Sequence, residues 1–227
     1  MGLSEEVIGA YMADRKATFQ IATKGGIIPK PTRHFNNSPS YFRDALEKSL
    51  KRLGVERIAL YYAHRHDAEV PVEEVAGTLS RFVEEGKIDG IGFSEIAPAT
   101  LRRAHAAHPV TAIQNEYSLW TRQPELGMLQ ATEELGVAFV AFSPLGRGIF
   151  AETPPDPTHF AETDFRRGNP RFQEPNWSAN LGWVEGFRSF CHARGWSVPA
   201  TAVAWTLDRA PHVLSIPGTR SAAHLEE

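Results

Sequence analysis

The chain of 227 residues contains 42% hydrophobic and 10% aromatic residues, which is enough apolar material for a sizeable core in a single domain. Its formal net charge of −3 provides no basic field of the kind that attracts nucleic-acid phosphates, so we exclude nucleic acid as a partner. No apolar run approaches the roughly 20 residues that cross a bilayer, and we therefore predict no membrane segment.

The amino-terminal residues and the cysteine content indicate where the protein acts. The sequence Met1-Gly-Leu-Ser-Glu-Glu has neither the basic nor the apolar region of a signal peptide, which favours a cytoplasmic location. Cys191 is the single cysteine, so it cannot close an internal disulfide. We interpret it as a buried structural thiol.

Six short apolar runs each end in a polar or special residue, and a helix-like segment follows each run. They cover residues 18–23, 57–63, 88–93, 110–113, 137–142 and 213–216. This alternation predicts an α/β fold with a parallel sheet and right-handed crossovers, as in a β/α barrel. All strands of such a sheet end on the same rim, and barrels of this type carry their chemistry there.

The remaining segments read as helices and two long loops. Residues that can start a helix are Ser4, Ser40, Pro71, Pro98 and Pro124, and the patterns that follow have helical spacing. The Gly/Pro/Asn-rich segment 25–39 is long enough to be a functional loop. The proline-rich segment 146–180 has little periodicity, and we predict a surface loop over the rim.

Two residues at the predicted rim can act on a carbonyl or a hydroxyl group. Lys24 follows the first run, where partial burial would disfavour its charged form, although a loop lysine that extends into solvent remains an alternative. His64 follows the second run and can serve as a general acid or as an orienting donor. The alternative for His64 is a purely structural histidine.

The sequence His64-Arg65-His66-Asp67 leaves a different function open. Two histidines at i and i+2 after a barrel strand, here His64 and His66, can begin a metal site. The later strand ends offer no further histidine and no aspartate. A metal-dependent hydrolase is therefore the remote alternative.

Neutral polar and aromatic residues at later strand ends suit a nicotinamide ring. Ser94, Gln114 and Asn115 present hydrogen-bonding groups that match a carboxamide. Phe142 offers a flat face for stacking, although an aromatic residue at this position can also belong to the core.

Two glycine-containing turns can hold phosphate groups. Ser143-Pro144-Leu145-Gly146-Arg147-Gly148 carries one arginine, and Pro217-Gly218-Thr219-Arg220 lies where the last strand meets a helix start. No Gly-x-Gly-x-x-Gly follows any strand, so a Rossmann domain is not supported.

Taken together, these stretches resemble the aldo-keto reductase family. They occur in the family's order and span nearly the whole chain. The matching stretches are Ile21-Ala22-Thr23-Lys24, Leu60-Tyr61-Tyr62-Ala63-His64-Arg65, Gly86-Lys87-Ile88-Asp89-Gly90-Ile91-Gly92-Phe93-Ser94, Ile113-Gln114-Asn115-Glu116-Tyr117-Ser118, Phe142-Ser143-Pro144-Leu145-Gly146-Arg147-Gly148 and Ile216-Pro217-Gly218-Thr219-Arg220.

The resemblance implies a (β/α)8 barrel that uses NADPH to reduce a small aldehyde or ketone. In that family a tyrosine protonates the carbonyl oxygen, a lysine paired with an aspartate lowers the pKa of the tyrosine, and a histidine orients the substrate. Lys24 and His64 match the lysine and the histidine. The implied cofactor contacts are Ser94 and Gln114 to the carboxamide, Phe142 to the ring, Ser143, Leu145 and Arg147 to the diphosphate, Gly218, Thr219 and Arg220 to the 2′-phosphate and adenine, and Glu227 to the adenine amine.

The chain also departs from the family pattern. Glu95 stands where the family usually has asparagine after the serine, and the family's tyrosine and aspartate would precede the stretch 2–6. We therefore predict a single barrel domain over residues 1–227 that is truncated at both ends and lacks the first two strands and the end of the last helix.

The expected consequences of this truncation concern activity and association. We expect impaired activity and self-association through the open sheet edges. A non-catalytic NADPH-binding subunit is the alternative function.

Overall fold

The computed structural model describes residues 2–29 and 31–226, in which strands and helices alternate. The strands are β1 (Ala22–Gly25), β2 (Ile27–Ile28), β3 (His34–Phe35), β4 (Ile58–Ala63), β5 (Ile88–Ser94), β6 (Ala112–Glu116), β7 (Ala138–Phe142) and β8 (Val213–Ile216). The helices are α1 (Leu3–Arg15), α2 (Pro39–Leu53), α3 (Val72–Glu84), α4 (Pro98–Ala107), α5 (Met128–Leu135), α6 (Asn176–His192), α7 (Val198–Leu207) and α8 (Ala222–Glu226). No helix in the described residues is both long and apolar enough to cross a membrane.

Six strands form one sheet in the order β1-β4-β5-β6-β7-β8, while β2 and β3 pair as a separate antiparallel hairpin. The pairs β1–β4, β4–β5 and β5–β6 are parallel, as the alternation of strands and helices predicts. The α/β fold class with a parallel sheet is therefore confirmed.

The register of these strands decides which side chains share a face. Lys24 lies opposite Tyr62, Tyr62 lies opposite Gly92, and Ser94 lies opposite Gln114. Side chains of directly paired residues point to the same side of a sheet, and the side alternates along each strand. Residues 24, 62 and 92 thus form one layer, and residues 94 and 114 belong to the next layer toward the carboxyl ends.

The boundaries of the first strand and of the first long loop differ from the prediction. Strand β1 begins at Ala22 and contains Lys24, whereas Phe19 in the predicted run is 57% exposed and lies before the strand. The predicted loop 25–39 holds the β2–β3 hairpin. Helix α2 is capped by Ser38 rather than by Ser40, because the Ser38 hydroxyl accepts the backbone N–H of Tyr41.

The chain divides into two compact units. The first contains the chain up to Asn115 together with Glu125–Val140, and the second contains Glu116–Pro124 and the chain from Ala141 onward. The prediction of a single domain is not tested by this division. In the first unit, α2 and α3 bury apolar stripes that include Phe42, Leu46, Val75 and Leu79.

The core of the second unit reaches into the segment predicted as a surface loop. Ile149, Phe150, Val184 and Ala202 are buried together there. The buried ring of Phe172 has its centroid 5.5 Å from the ring centroids of Trp120, Phe160 and Trp177. This aromatic cluster anchors the segment, and helix α6 begins at Asn176. The proline-rich segment is therefore packed and contains four short 3-10 turns.

Candidate active site

Lys24 is placed by strand pairing beside the ring of Tyr62. Its Nζ atom lies 5.7 Å from the ring centroid, and the residue is half-buried. Burial lowers the pKa of the Lys24 ammonium, and the positive charge of Arg65 lowers it further. No ion pair of Lys24 with a carboxylate occurs in the described parts of the chain. Keeping this ammonium group charged therefore costs desolvation free energy that no ion pair with a described carboxylate offsets.

His64 is the first residue after β4 and is half-buried. Its backbone N–H donates to the carbonyl of Gly25 at 2.7 Å, which fixes the end of the strand. Burial lowers the pKa of the imidazole to about 4, with further contributions from the charges of Lys24, Arg65 and Arg33. The ring is therefore neutral at pH 7, so it can donate a hydrogen bond but is not a cationic acid.

Arg65 connects the end of β4 to the end of β5, and the sequence analysis did not assign it a role. Its Nη1 atom donates to the backbone carbonyl of His64 at 2.7 Å and to the hydroxyl oxygen of Ser94 at 3.0 Å. A guanidinium group suits this double contact because its donors are rigidly spaced. The sequence signal was the Arg65 that directly follows His64, but the contact to Ser94 depends on the strand register.

Ser94 and Gln114 are directly paired between β5 and β6, and both are buried. The amide of Gln114 favours the ionised form of the Tyr62 phenol and so acts to lower its pKa. Asn115, the third predicted carboxamide contact, uses its Oδ1 atom to accept the backbone N–H of Glu95 at 2.8 Å. The structure thus brings Ser94 and Gln114 together. The Oδ1 atom of Asn115 instead accepts a backbone hydrogen bond in the turn that follows β5.

Neither tyrosine of β4 has the lowered pKa that a tyrosine acid requires. Burial raises the pKa of Tyr62 to about 12, and the amide of Gln114 opposes this only in part. Burial also raises the pKa of Tyr61, whose hydroxyl has no hydrogen-bond partner within the described ranges. Strand β4 therefore supplies no tyrosine with a lowered pKa beside Lys24.

In the second unit, the predicted phosphate-binding turn is tightly wound. Phe142 ends β7 and is half-buried, and the next residue, Ser143, has a φ of 54°. Arg147 also has a positive φ, 59°. Side chains other than glycine rarely adopt this left-handed conformation, and such strained positions cluster at functional sites.

Arg147 is held in place by a network of charges and hydrogen bonds inside the second unit. Its guanidinium contacts Glu116, which also accepts Arg171 Nη1 at 3.0 Å and the Thr121 hydroxyl at 2.9 Å. The backbone carbonyl of Arg147 accepts Arg166 Nη1 at 3.1 Å. No sequence pattern indicates a role for Glu116, Arg166 or Arg171, because these residues lie up to 55 positions apart along the chain.

Three of the predicted cofactor residues line one polar cavity of about 530 Å³ in the second unit. They are Ser143, Arg147 and Arg220, and the cavity is also lined by Asp164 and Arg166. The charge and hydrogen bonds of Arg166 lower the pKa of Asp164 to about 2, so this carboxylate is ionised at neutral pH. Three arginines against one aspartate give a net positive wall that suits a phosphate.

A second cavity of the same unit, of about 540 Å³, is mainly apolar. Leu145, Gly218 and Thr219 line it together with side chains of α7 and α8. A mainly apolar cavity with a few polar groups is typical of a site for an organic ring system. Glu227, predicted to face the adenine amine, lies outside the described residues.

Each unit, taken by itself, offers groups that fit one part of a nicotinamide dinucleotide phosphate. Ser94 and Gln114 are buried neutral groups that match a carboxamide, and the second unit offers a cationic cavity and an apolar cavity. A metal site has less support. The His66 ring contacts the Val70 carbonyl at 2.8 Å, and residues 2–29 and 31–226 contain no group of three or more potential ligands.

The sequence was compared with family models and with characterised proteins. The model described as "Aldo/keto reductase family" matches residues 1–227. The NADP(+)-designated aldo-keto reductase yakc of Schizosaccharomyces pombe is 40% identical over 234 residues, which cover 100% of this chain and 69% of the relative. The probable aldo-keto reductase 1 of Glycine max is 42% identical over 215 residues, covering 92% of this chain and 60% of that protein. The chain thus spans about two thirds of the length of these relatives.

Solved structures give the same result. The glycerol dehydrogenase AKR11B4 from Gluconobacter oxydans superposes with a TM-score of 0.89 at 31% identity, over 99% of this chain and 70% of that one. The thermostable aldo-keto reductase Tm1743, solved with the inhibitor epalrestat, has a TM-score of 0.75 at 26% identity, over 100% and 70% of the two chains. On these grounds, the chain belongs to the aldo/keto reductase family.

Proposed function

We propose that this chain binds NADPH and takes part in the reduction of a small aldehyde or ketone. The observation that carries the proposal is the arrangement of four residues on neighbouring parallel strands: Lys24 in β1, His64 directly after β4, Ser94 at the end of β5 and Gln114 within β6. When bound, NADPH supplies the reducing equivalents for the carbonyl carbon. The residues of the chain bind it, orient the substrate and polarise the carbonyl oxygen.

The proposed roles follow from the state of each side chain. Lys24 Nζ donates a hydrogen bond to the carbonyl oxygen and stabilises negative charge there. His64, neutral at pH 7, donates a ring N–H to the same oxygen and orients the substrate. Ser94 and Gln114 contact the carboxamide, and Phe142 contacts the ring.

The residues proposed to contact the phosphate and adenine groups belong to the second unit. Ser143, Leu145 and Arg147 contact the diphosphate, while Gly218, Thr219 and Arg220 contact the 2′-phosphate and adenine. The positive cavity lined by Arg147, Arg166 and Arg220 supports a preference for NADPH over NADH, because it can hold an additional phosphate.

We expect slow turnover, because the tyrosines beside Lys24 have raised pKa values and Lys24 lacks a carboxylate partner within the described residues. A second candidate, a non-catalytic NADPH-binding subunit, is favoured by the same observation. Both candidate functions use the same cofactor-binding residues. They differ in whether the chain catalyses the reduction of the carbonyl group.

One pair of measurements separates the candidates. Quenching of the five tryptophans by NADPH reports binding, and a single-turnover assay with excess NADPH and an activated aromatic aldehyde reports chemistry. Binding with slow, aldehyde-dependent NADPH oxidation that Lys24→Met reduces about 10²-fold or more supports the reductase. Binding without oxidation selects the second candidate, and absence of binding contradicts both.

Two further proposals rest on the sequence alone. Self-association through sheet edges predicts a concentration-dependent increase in sedimentation coefficient, and a constant monomer value would contradict it. A cytoplasmic location remains a prediction that fractionation of the native source can test.

A further inference from the structure

The carboxylate of Glu116 binds two arginines and a hydroxyl group within the second unit. Its Oε2 atom contacts Arg147 Nη2, and its Oε1 atom accepts Arg171 Nη1 at 3.0 Å and the Thr121 hydroxyl at 2.9 Å. The side chain of Glu116 is 13% exposed. Because both oxygens have partners of fixed direction, the carboxylate is held in one orientation.

The partners of the Oε1 atom are themselves held by a tight turn. The backbone N–H groups of Trp120 and Thr121 each donate to the hydroxyl oxygen of Ser118 at 3.1 Å, and Ser118 is fully buried. The Cζ atom of Arg171 lies 5.2 Å from the centroid of the Trp120 ring. The Thr121 hydroxyl donates to Glu116 and accepts Arg171 Nη1 at 2.8 Å, so it joins the two charged groups.

Arg147, on the other side of the carboxylate, lies on the wall of the polar cavity of about 530 Å³. Its backbone has the unfavourable φ of 59°, between two glycines that also have positive φ values. The Cζ atom of its guanidinium lies 5.2 Å from the centroid of the Phe165 ring. The contact to Glu116 uses Nη2, and a guanidinium with five N–H donors keeps others for an anion.

The negative charge of Glu116 makes its presence here informative. A carboxylate in contact with an arginine of the cavity wall lowers the positive potential in the cavity, and by charge alone it weakens the binding of a phosphate. Its contact with Arg147 has the opposite effect, because a fixed guanidinium loses less conformational freedom when a phosphate binds. The two effects of Glu116 therefore predict opposite changes in phosphate affinity when its charge is removed.

We propose that Glu116, held by Arg171 and Thr121, is a positioning residue that directs the Arg147 guanidinium toward the diphosphate of the cofactor. This inference rests on the proposed function, because it assumes that Arg147 contacts the diphosphate. Glu116 acts through Arg147 and does not touch the cofactor itself.

The test compares two ligands by calorimetry on the full chain. NADP⁺ contains the diphosphate, whereas 2′-AMP has the adenine and the 2′-phosphate but no diphosphate. Glu116→Gln should weaken NADP⁺ binding about five- to twentyfold, because the amide has one acceptor oxygen and cannot serve both Arg147 and Arg171. It should leave 2′-AMP binding within twofold, which also shows that the variant is folded.

Two further variants separate position from charge. Glu185→Gln is the matched control, since it removes the same charge from another carboxylate of the second unit that pairs with an arginine, Arg188, and it should leave both ligands within twofold. Thr121→Val keeps every charge and removes the hydroxyl that joins Glu116 to Arg171. It should weaken NADP⁺ about two- to fivefold and leave 2′-AMP unchanged.

A double-mutant cycle shows whether Glu116 acts through Arg147. On an Arg147→Ala background, Glu116→Gln should cause no further loss of NADP⁺ affinity. An additive loss would mean that Glu116 acts by another route and would overturn the inference.

The other contrary results are distinct. Unchanged or tighter NADP⁺ binding by Glu116→Gln would show that its charge outweighs its contact, and equal losses for both ligands would show that the effect is not specific to the diphosphate. Either result overturns the inference. If Glu116→Gln does not fold, unchanged NADP⁺ binding by Thr121→Val overturns it instead. Failure of the wild-type chain to bind NADP⁺ would overturn the proposed function, and the inference with it.

Discussion

At the residue scale, Lys24 is the clearest case of a charge kept at the expense of stability. Its ammonium is half-buried, its pKa is lowered by burial and by Arg65, and the described residues give it no carboxylate partner. We predict that Lys24→Met raises the free energy of unfolding by about 1 kcal/mol, since an apolar side chain of similar length avoids the desolvation cost. Urea denaturation measures the change.

Lys51→Met is the matched control for this prediction. Lys51 is exposed on α2, so its replacement should change stability by no more than about 0.5 kcal/mol. A loss of stability in Lys24→Met would mean that favourable contacts of the ammonium outweigh its desolvation. Such a loss would contradict our account of this residue.

His64 predicts a defined pH dependence. Its pKa is lowered from 6.5 to about 4 in the folded protein, so between these values the unfolded chain binds more protons than the folded one. The contribution of neutral His64 to stability is therefore complete above pH 6.5 and is lost as the pH falls toward 4. Thermal unfolding of wild type and His64→Asn across this range should show a difference that shrinks with acidification. A difference that does not vary with pH would contradict the lowered pKa.

At the element scale, the turn from β5 to α4 contains an unfavourable backbone conformation. Glu95 has a φ of 57°, in the left-handed region that asparagine tolerates far better than glutamate. We predict that Glu95→Asn raises the free energy of unfolding by about 1 kcal/mol.

Glu95→Gln serves as the control because it removes the charge but not the β-carbon strain. It should give a smaller gain than Glu95→Asn in the same denaturation experiment. Equal effects of the two variants would attribute the gain to charge rather than to backbone conformation.

Most strands could be predicted because their apolar runs are continuous and buried. Strands β4, β5, β7 and β8 lie within one residue of the predicted runs at each end. The first strand was misplaced because Phe19 is apolar but exposed, whereas Thr23 and Lys24 are polar but pair with β4. The boundary of β1 is set by its pairing with β4, and a local sequence pattern carries no information about that pairing.

The candidate site was predicted residue by residue, but its internal contacts were not. Lys24, His64, Ser94 and Gln114 could be chosen because each follows or ends an apolar run. The contact Arg65–Ser94 joins the ends of different strands and depends on their register. The position of the Tyr62 ring depends on the missing side chain at Gly92. Arg166 likewise lies in a segment without helical or strand periodicity, so no sequence pattern indicated that it would contribute to the site.

At the scale of the whole molecule, cofactor binding predicts a change in thermal stability. A ligand that binds only the folded state at about 100 times its Kd stabilises it by about 2.7 kcal/mol. For a chain of this size, that corresponds to a rise in Tm of roughly 5–10 °C. We expect NADP⁺ to produce a rise of this order and NAD⁺ at the same concentration a smaller one, because of the arginine-lined cavity. Equal rises would argue against a phosphate-specific contact.

Gly92, which lies beneath the Tyr62 ring, also limits which residues homologous proteins can have at these positions. Positions 62 and 92 are coupled, since the aromatic ring of Tyr62 occupies the space that a side chain at position 92 would need. A side chain at position 92 is therefore compatible only with a smaller residue at position 62. Aligned homologues should accordingly show correlated replacement at these two positions, with an aromatic residue at 62 occurring together with glycine at 92.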